Sequence, residues 1–172
     1  STTFSGTVQN TTGTLSLTKS GSGTFTLSGG SGITLDGAIT VSAGTLKLVD
    51  CDNLSVGASP VSFSTATGAT LEINANSGDV HFGSTYASGT VISGTGTFQK
   101  TGANVLYLAD RGSTSEKTYF NMTDGTIDIQ AGTMRNGGWQ GAQWTNNYAD
   151  LNVSSGAVFD LWDGNTVYVD AI

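Results

Sequence analysis

The chain has 172 residues, 37% of them hydrophobic and only 11% charged, with 25 glycines, one cysteine and a net charge of -7. That is enough apolar material for one domain with a core, which excludes compositional disorder, and an acidic balance without a basic patch excludes nucleic acid and anionic membrane surfaces as partners. Cys51 is the single cysteine, so no internal disulfide forms, and no apolar run is long enough to insert this segment into a membrane.

In chain order, apolar residues recur as pairs separated by one mostly polar residue. The pairs are Leu15/Leu17, Phe25/Leu27, Ile33/Leu35, Ile39/Val41, Leu46/Leu48 and Leu71/Ile73, then Val80/Phe82, Leu106/Leu108, Ile127/Ile129, Leu151/Val153, Phe159/Leu161 and Val167/Val169. A period of two turns one side of a short strand inward and the other toward solvent. Glycine-rich turn signals such as SGSG, SAG, ATGA, SGTG and SSGA break any helical reading between them. The expectation is all-β, with no helix.

The strands also repeat. Thr18–Leu27 (TKSGSGTFTL) aligns with Gln99–Leu108 (QKTGANVLYL), and at a somewhat longer offset Ser42–Leu48 and Gly68–Ile73 align with Gln130–Asn136 and Gly156–Leu161. Two degenerate units, about 15–92 and 96–172, make one domain, the second carrying extra residues between Leu108 and Gly125. Stacked coils tolerate such an insertion because each rung contacts only its neighbours. A β-solenoid also explains the composition: outward Ser and Thr stand in ladders, Gly turns the corners, and like charges on successive rungs would repel.

The runs TKSGSGTFTLSG with ITVSAGTLKL, FQKTGANVLYL with IDIQAGTM, and LNVSSGAVFDLWDGNTVYVDAI together resemble the passenger-associated repeat of bacterial autotransporters and related surface proteins. The resemblance implies a right-handed parallel β-helix displayed outside the cell, the repeat serving a stem rather than a reaction. About seven or eight rungs are expected. Leu27, Leu46, Leu71, Leu108, Ile129 and Leu161 should face inward, Thr26 and Thr34 outward.

Candidate chemistry is sparse. Ser28–Asp36 (SGGSGITLD) resembles a calcium-binding nonapeptide, but Thr34 stands where the ligand Asp belongs. Asp50, Cys51 and Asp52, and likewise Asp160 and Asp163 around Trp162, read as solvated turns because a metal needs several converging oxygens. His81, the single histidine, points outward and lacks a recognisable nucleophile motif, and Cys51 reads as a small buried residue. Asp110, Arg111, Glu116 and Lys117 lie in the inserted loop. The segment Arg135–Asp150 is richest: Trp139, Trp144 and Tyr148 stand among Gly, Asn and Gln, and aromatic faces with amides suit sugar rings.

The sequence thus points to a non-catalytic structural or adhesive module of an extracellular bacterial surface protein or fibre, with no catalytic residue, metal or cofactor. The alternatives are a carbohydrate-binding module using the Trp139–Tyr148 region, with surface glycans as partners, and a polysaccharide lyase or hydrolase. VYVDAI stops where the first unit continues through VIS into GTGTFQK, so the chain is expected to be a fragment of a longer fibre or to self-associate end to end.

Overall fold

In a computed structural model, described for residues 1–9, 12–35, 37–52, 61–82, 89–109, 118–137, 141–162 and 166–172, the chain coils into a parallel β-solenoid. Numbered in chain order, β1 (Thr2–Phe4), β3 (Thr24–Leu27), β5 (Thr45–Val49), β7 (Thr70–Asn74), β10 (Thr97–Thr101), β13 (Thr126–Ile129) and β15 (Asp150–Val153) stack as sheet I. Sheet II is β8 (Val80–His81), β11 (Val105–Tyr107), β14 (Thr133–Arg135) and β16 (Val158–Asp160). Sheet III is β2 (Leu17–Lys19), β4 (Ala38–Val41), β6 (Val61–Thr65), β9 (Thr90–Gly94) and β12 (Thr118–Met122). The chain visits the sheets in the order III, I, II, and the only helical element among the described residues is the 3-10 turn Gly30–Gly32. The coil makes about five turns, matching the five strands of sheet III, while sheet I alone stacks seven strands, the lower end of the seven or eight rungs expected. The turns are also unequal, a short one running from Thr24 to its partner Thr45 and a long one from Thr97 to its partner Thr126.

Alternation positions the core. Along sheet I, Phe25, Leu46, Leu71, Phe98, Ile127 and Leu151 are in register, and beside them Leu27, Leu48, Ile73, Lys100 and Ile129 form a second inward rank. Between the sheets a chain of rings runs along the axis: Phe63, Phe82, Phe98, Phe120, Trp144 and Phe159, with successive centroids 6.0, 6.3, 5.6, 4.2 and 5.7 Å apart. Such spacing lets offset-stacked and edge-on pairs add to the burial of apolar area. Leu27, Leu46, Leu71, Leu108 and Ile129 are buried as expected, but Leu161 is 47% exposed because it lies beyond the end of β16. Thr34 is also a correction: with Ile33 and Leu35 it is buried in a non-strand segment where alternation does not apply.

The sequence repeat marks a strand-corner-strand unit, not a whole number of turns. Thr18–Leu27 spans the corner from sheet III to sheet I, whereas Gln99–Leu108 spans the corner from sheet I to sheet II. The other two aligned pairs are displaced by one face in the same way. Matching corners need matching residues: Gly44 and Gly132 both have a φ of 65°, and a Cβ at either would run into a carbonyl of the preceding turn, Gly23 and Gly102 respectively.

Candidate functional site

The richest side-chain chemistry stands on the outer side of sheet II. In β8, β11, β14 and β16 the inward residues are Val80, Leu106, Met134 and Phe159, so the next residue of each strand, His81, Tyr107, Arg135 and Asp160, faces out in one in-register rank. The His81 and Tyr107 rings stack 4.7 Å apart with a 5° tilt. The Arg135 guanidinium lies between two rings, its Cζ 5.2 Å from the Tyr107 centroid and 4.7 Å from that of Trp162. Arg135 Nε donates to Asp160 Oδ2 at 2.7 Å, and Asp160 Oδ1 accepts the Trp162 N–H at 3.0 Å. At the other end Asp52 Oδ1 accepts the His81 backbone N–H at 2.7 Å and sits 3.2 Å from His81 Nδ1.

Chemically this rank has the parts of an acid–base site, a carboxylate–imidazole pair beside a phenol and a guanidinium, but their arrangement is axial. Each planar group covers the face of the next, and the Arg135 and Asp52 bonds run along the coil rather than toward a shared point. Trp162 is the exception: half exposed, it holds a left-handed φ of 52°, unusual for a bulky residue.

Sheet I carries a second polar surface. Thr24, Thr45, Thr70, Thr97 and Thr126 stand in one unbroken rank. The neighbouring rank is bonded across turns: Lys47 Nζ to Glu72 Oε1 at 2.7 Å, Gln99 Nε2 to Asp128 Oδ2 at 3.1 Å and Asn152 Nδ2 to Asp128 Oδ1 at 2.7 Å. The scarce charges are thus placed against opposite charges or amides of the next turn, where like charges would repel.

The sequence candidates distribute over this frame. Asp50, Cys51 and Asp52 diverge. Asp50, at a φ of 52°, accepts the N–H groups of Asn76 at 2.6 Å and Ser77 at 3.0 Å; burial pushes its carboxyl up, and the bonds from Ser77 and Asn76 bring it below the ordinary value. Asp52 serves His81, and Cys51 turns into the core, where burial pushes its thiol up to about 12. Cys51 should therefore resist iodoacetamide in the folded protein near neutral pH and react only on unfolding, which mass spectrometry with and without urea would check. Rapid native alkylation would show that this corner opens.

Trp144 is a core residue, 1% exposed, stacked on Phe120 and donating its Nε1–H to Asn136 Oδ1 at 2.7 Å. It therefore cannot join an exposed sugar platform, and of the three aromatics singled out only Tyr148 is seen on the surface, at 61%. Trp139, Asp36, Asp110, Arg111, Glu116, Lys117 and Asp163 lie outside the described residues. Among the described residues no three His, Cys, Asp or Glu side chains converge as metal ligands would.

Two features escaped the sequence reading. One is the sheet II rank, whose members come from different turns and become neighbours only once the length of each turn is known. The other is a pair of buried lysines. Lys100 Nζ donates to the carbonyls of Thr101 (2.8 Å), Gly102 (2.9 Å) and Ala131 (3.0 Å), and Lys19 Nζ to those of Ser20 (2.9 Å), Gly21 (2.6 Å) and Ala43 (3.0 Å). The signal was the shared Lys-(Ser/Thr)-Gly of the aligned repeats, followed in each by Ala-Gly one turn on. No protein-family model, curated protein or solved structure matches the chain.

Proposed function

We propose that this chain is a non-catalytic structural or adhesive module of an extracellular bacterial surface protein or fibre, as its resemblance to the autotransporter passenger repeat implies. The observation that carries the reading is the axial pairing of the outward polar groups: Asp52 with His81, Lys47 with Glu72, and Arg135 with Asp160 are each bonded to the next turn. Groups arranged in this way brace a coil, whereas a catalytic site needs acid, base and charge stabiliser aimed at one reacting atom. Cys51 is the single cysteine of these 172 residues, so no disulfide within them braces the coil.

A second reading, carbohydrate binding, is favoured by Trp162, whose half-exposed ring is held over Arg135 in a conformation that a bulky side chain rarely adopts. One experiment separates these from the lyase or hydrolase alternative. The purified chain is incubated with neutral and uronate-containing polysaccharides, followed by reducing-end and unsaturated-product assays and by native electrophoresis in gels cast with the same polymers. The structural reading expects no product and no retardation. Retardation lost in Trp162→Ala would establish the binding module, and product formation lost in His81→Ala would replace both readings with an enzyme.

A further inference from the structure

Among the described residues, Asn76–Ser77, Asp124–Gly125 and Asn136–Gly137 each set an asparagine or aspartate before a serine or glycine, a residue small enough to leave its backbone nitrogen accessible. In such a pair that nitrogen can attack the side-chain carbonyl carbon. The nitrogen gives up its proton and a succinimide ring closes, while an asparagine expels ammonia and a protonated aspartate expels water. Water then opens the ring at either carbonyl to give aspartate or isoaspartate. For an aspartate the water lost is the water regained, so the net change is an isomerisation that needs no other reactant. By residue type alone Asn136–Gly137 should react first, because near neutral pH a carboxylate is a poorer electrophile than an amide.

The fold inverts that order. Asn136 has no exposed surface, its Oδ1 accepts the Trp144 Nε1–H at 2.7 Å, and Gly137 is buried and bridged to Gly141. Turning the Asn136 amide onto the Gly137 nitrogen would break that bond, and opening the ring would require water at a closed position. Asn76 is exposed, but the Ser77 N–H is committed to Asp50 Oδ1 at 3.0 Å.

Asp124 has neither protection. Its side chain is exposed, on the corner between β12 and β13. On either side of the pair, the Thr123 and Thr126 N–H groups donate to the Gly94 and Gly96 carbonyls of the preceding turn, whereas the Gly125 N–H donates to Asp124 Oδ1 at 2.7 Å. The nucleophile therefore lies against the carboxyl that it must attack, and such positioning raises the effective concentration of a reactant. No bulkier residue can shield the nitrogen, because Gly125 has a φ of 92° and a Cβ there would run into the Gly96 carbonyl.

We propose that Asp124 is a site of spontaneous modification, converting to isoaspartate through a succinimide with the Gly125 nitrogen, and that this change loosens the seam between neighbouring turns. Isoaspartate adds a methylene to the main chain at a corner tied on both sides: the Gly125 carbonyl accepts the Asp150 N–H at 2.9 Å, and the Thr126 N–H reaches back to Gly96 at 3.1 Å. A longer corner cannot keep both bonds in register. The chemistry needs no partner and goes beyond either reading of the function.

Ageing the folded chain in heavy-oxygen water near neutral pH tests it. Tryptic digestion in ordinary water then yields peptides 118–135 and 136–172, and electron-transfer fragmentation distinguishes isoaspartate from aspartate in each. Label and isoaspartate should accumulate at Asp124 several-fold ahead of label at Asn136, and in guanidinium chloride the order should reverse. Asp124→Asn should speed the step at that position and release ammonia. Asp124→Glu, whose longer side chain would have to close a larger and less favoured ring, should abolish it; the position is exposed, and circular dichroism verifies the fold of both variants. On ageing, the urea midpoint of wild type should fall while that of Asp124→Glu holds. No label at Asp124, or label at Asn136 running ahead of it in the folded chain, overturns the proposed site. An equal change of midpoint in wild type and Asp124→Glu overturns the loosening.

Discussion

Leu71→Asp is expected to abolish cooperative folding at room temperature. Leu71 is fully buried in the middle of sheet I, in register with Leu46 on one side and Phe98 on the other. A carboxylate there meets no cation or donor along its rank, and an unpaired buried charge together with the lost apolar contacts removes more than about 5 kcal/mol, as much as a domain of this size commonly has. The control is Thr26→Asp on the outer side of the same sheet. Thr26 is half-buried and lies opposite Lys47, so an aspartate gains a cationic neighbour and should change stability by less than about 1 kcal/mol. Urea unfolding followed by circular dichroism reads both, and equal losses would mean that the inward and outward faces have been exchanged.

Lys100→Met should cost about 2 kcal/mol, although the replacement is apolar and similar in length, because three half-buried carbonyls lose a charged donor. Lys100 occupies the rank of Leu27, Leu48, Ile73 and Ile129 with no exposed surface, and its ammonium ties together the corner carbonyls of Thr101, Gly102 and Ala131. Methionine fills the volume and leaves three oxygens without that donor. The pH dependence is specific. Burial pulls the Lys100 pKa down to about 8 from an ordinary 10.5, with Asp79 pulling the other way. Between those values the unfolded chain holds a proton that the folded chain has shed, so this residue's contribution to stability rises with pH across that window. The difference between wild type and Lys100→Met should therefore widen from about pH 8 to pH 10.5 in urea titrations. A flat difference would mean that the three carbonyls hold the ammonium at its ordinary pKa, and a variant as stable as wild type would show that the clamp contributes nothing.

The strand alternation was legible at pairs such as Leu46 and Leu48 or Ile127 and Ile129, but not at Val61 and Phe63 or Phe120 and Met122, which have the same pattern. β10 was harder to read, because its second inward position is Lys100, which no hydropathy pattern counts as core. β6, β9 and β12 were not among the pairs read from the sequence: their inward positions mix Val61, Phe63, Ile92, Phe120 and Met122 with Thr65, Thr90 and Thr118. The threonines read as surface, yet inside a coil a hydroxyl can reach backbone, as Thr65 Oγ1 does at the Ser93 carbonyl. The site was less legible than the fold. Trp144 reads as a sugar platform because its neighbours are Gly, Asn and Gln, and its burial beside Phe120 is set by the adjacent turn, out of reach of any local pattern.

By itself, then, the sequence determined what is local: strands from the period of two, corners from glycines such as Gly44 and Gly132 that must take positive φ, and a coil from the recurrence of the strand-corner-strand unit. Only the tertiary structure decided what depends on turn length, because side chains stack axially at one strand spacing and turns of unequal length move the partner's place in the sequence each time. That variation turns the aligned repeats through one face and places His81, Tyr107, Arg135 and Asp160 in a single rank, while the end of β16 at Asp160 leaves Leu161 outside the core that its pairing with Phe159 had promised.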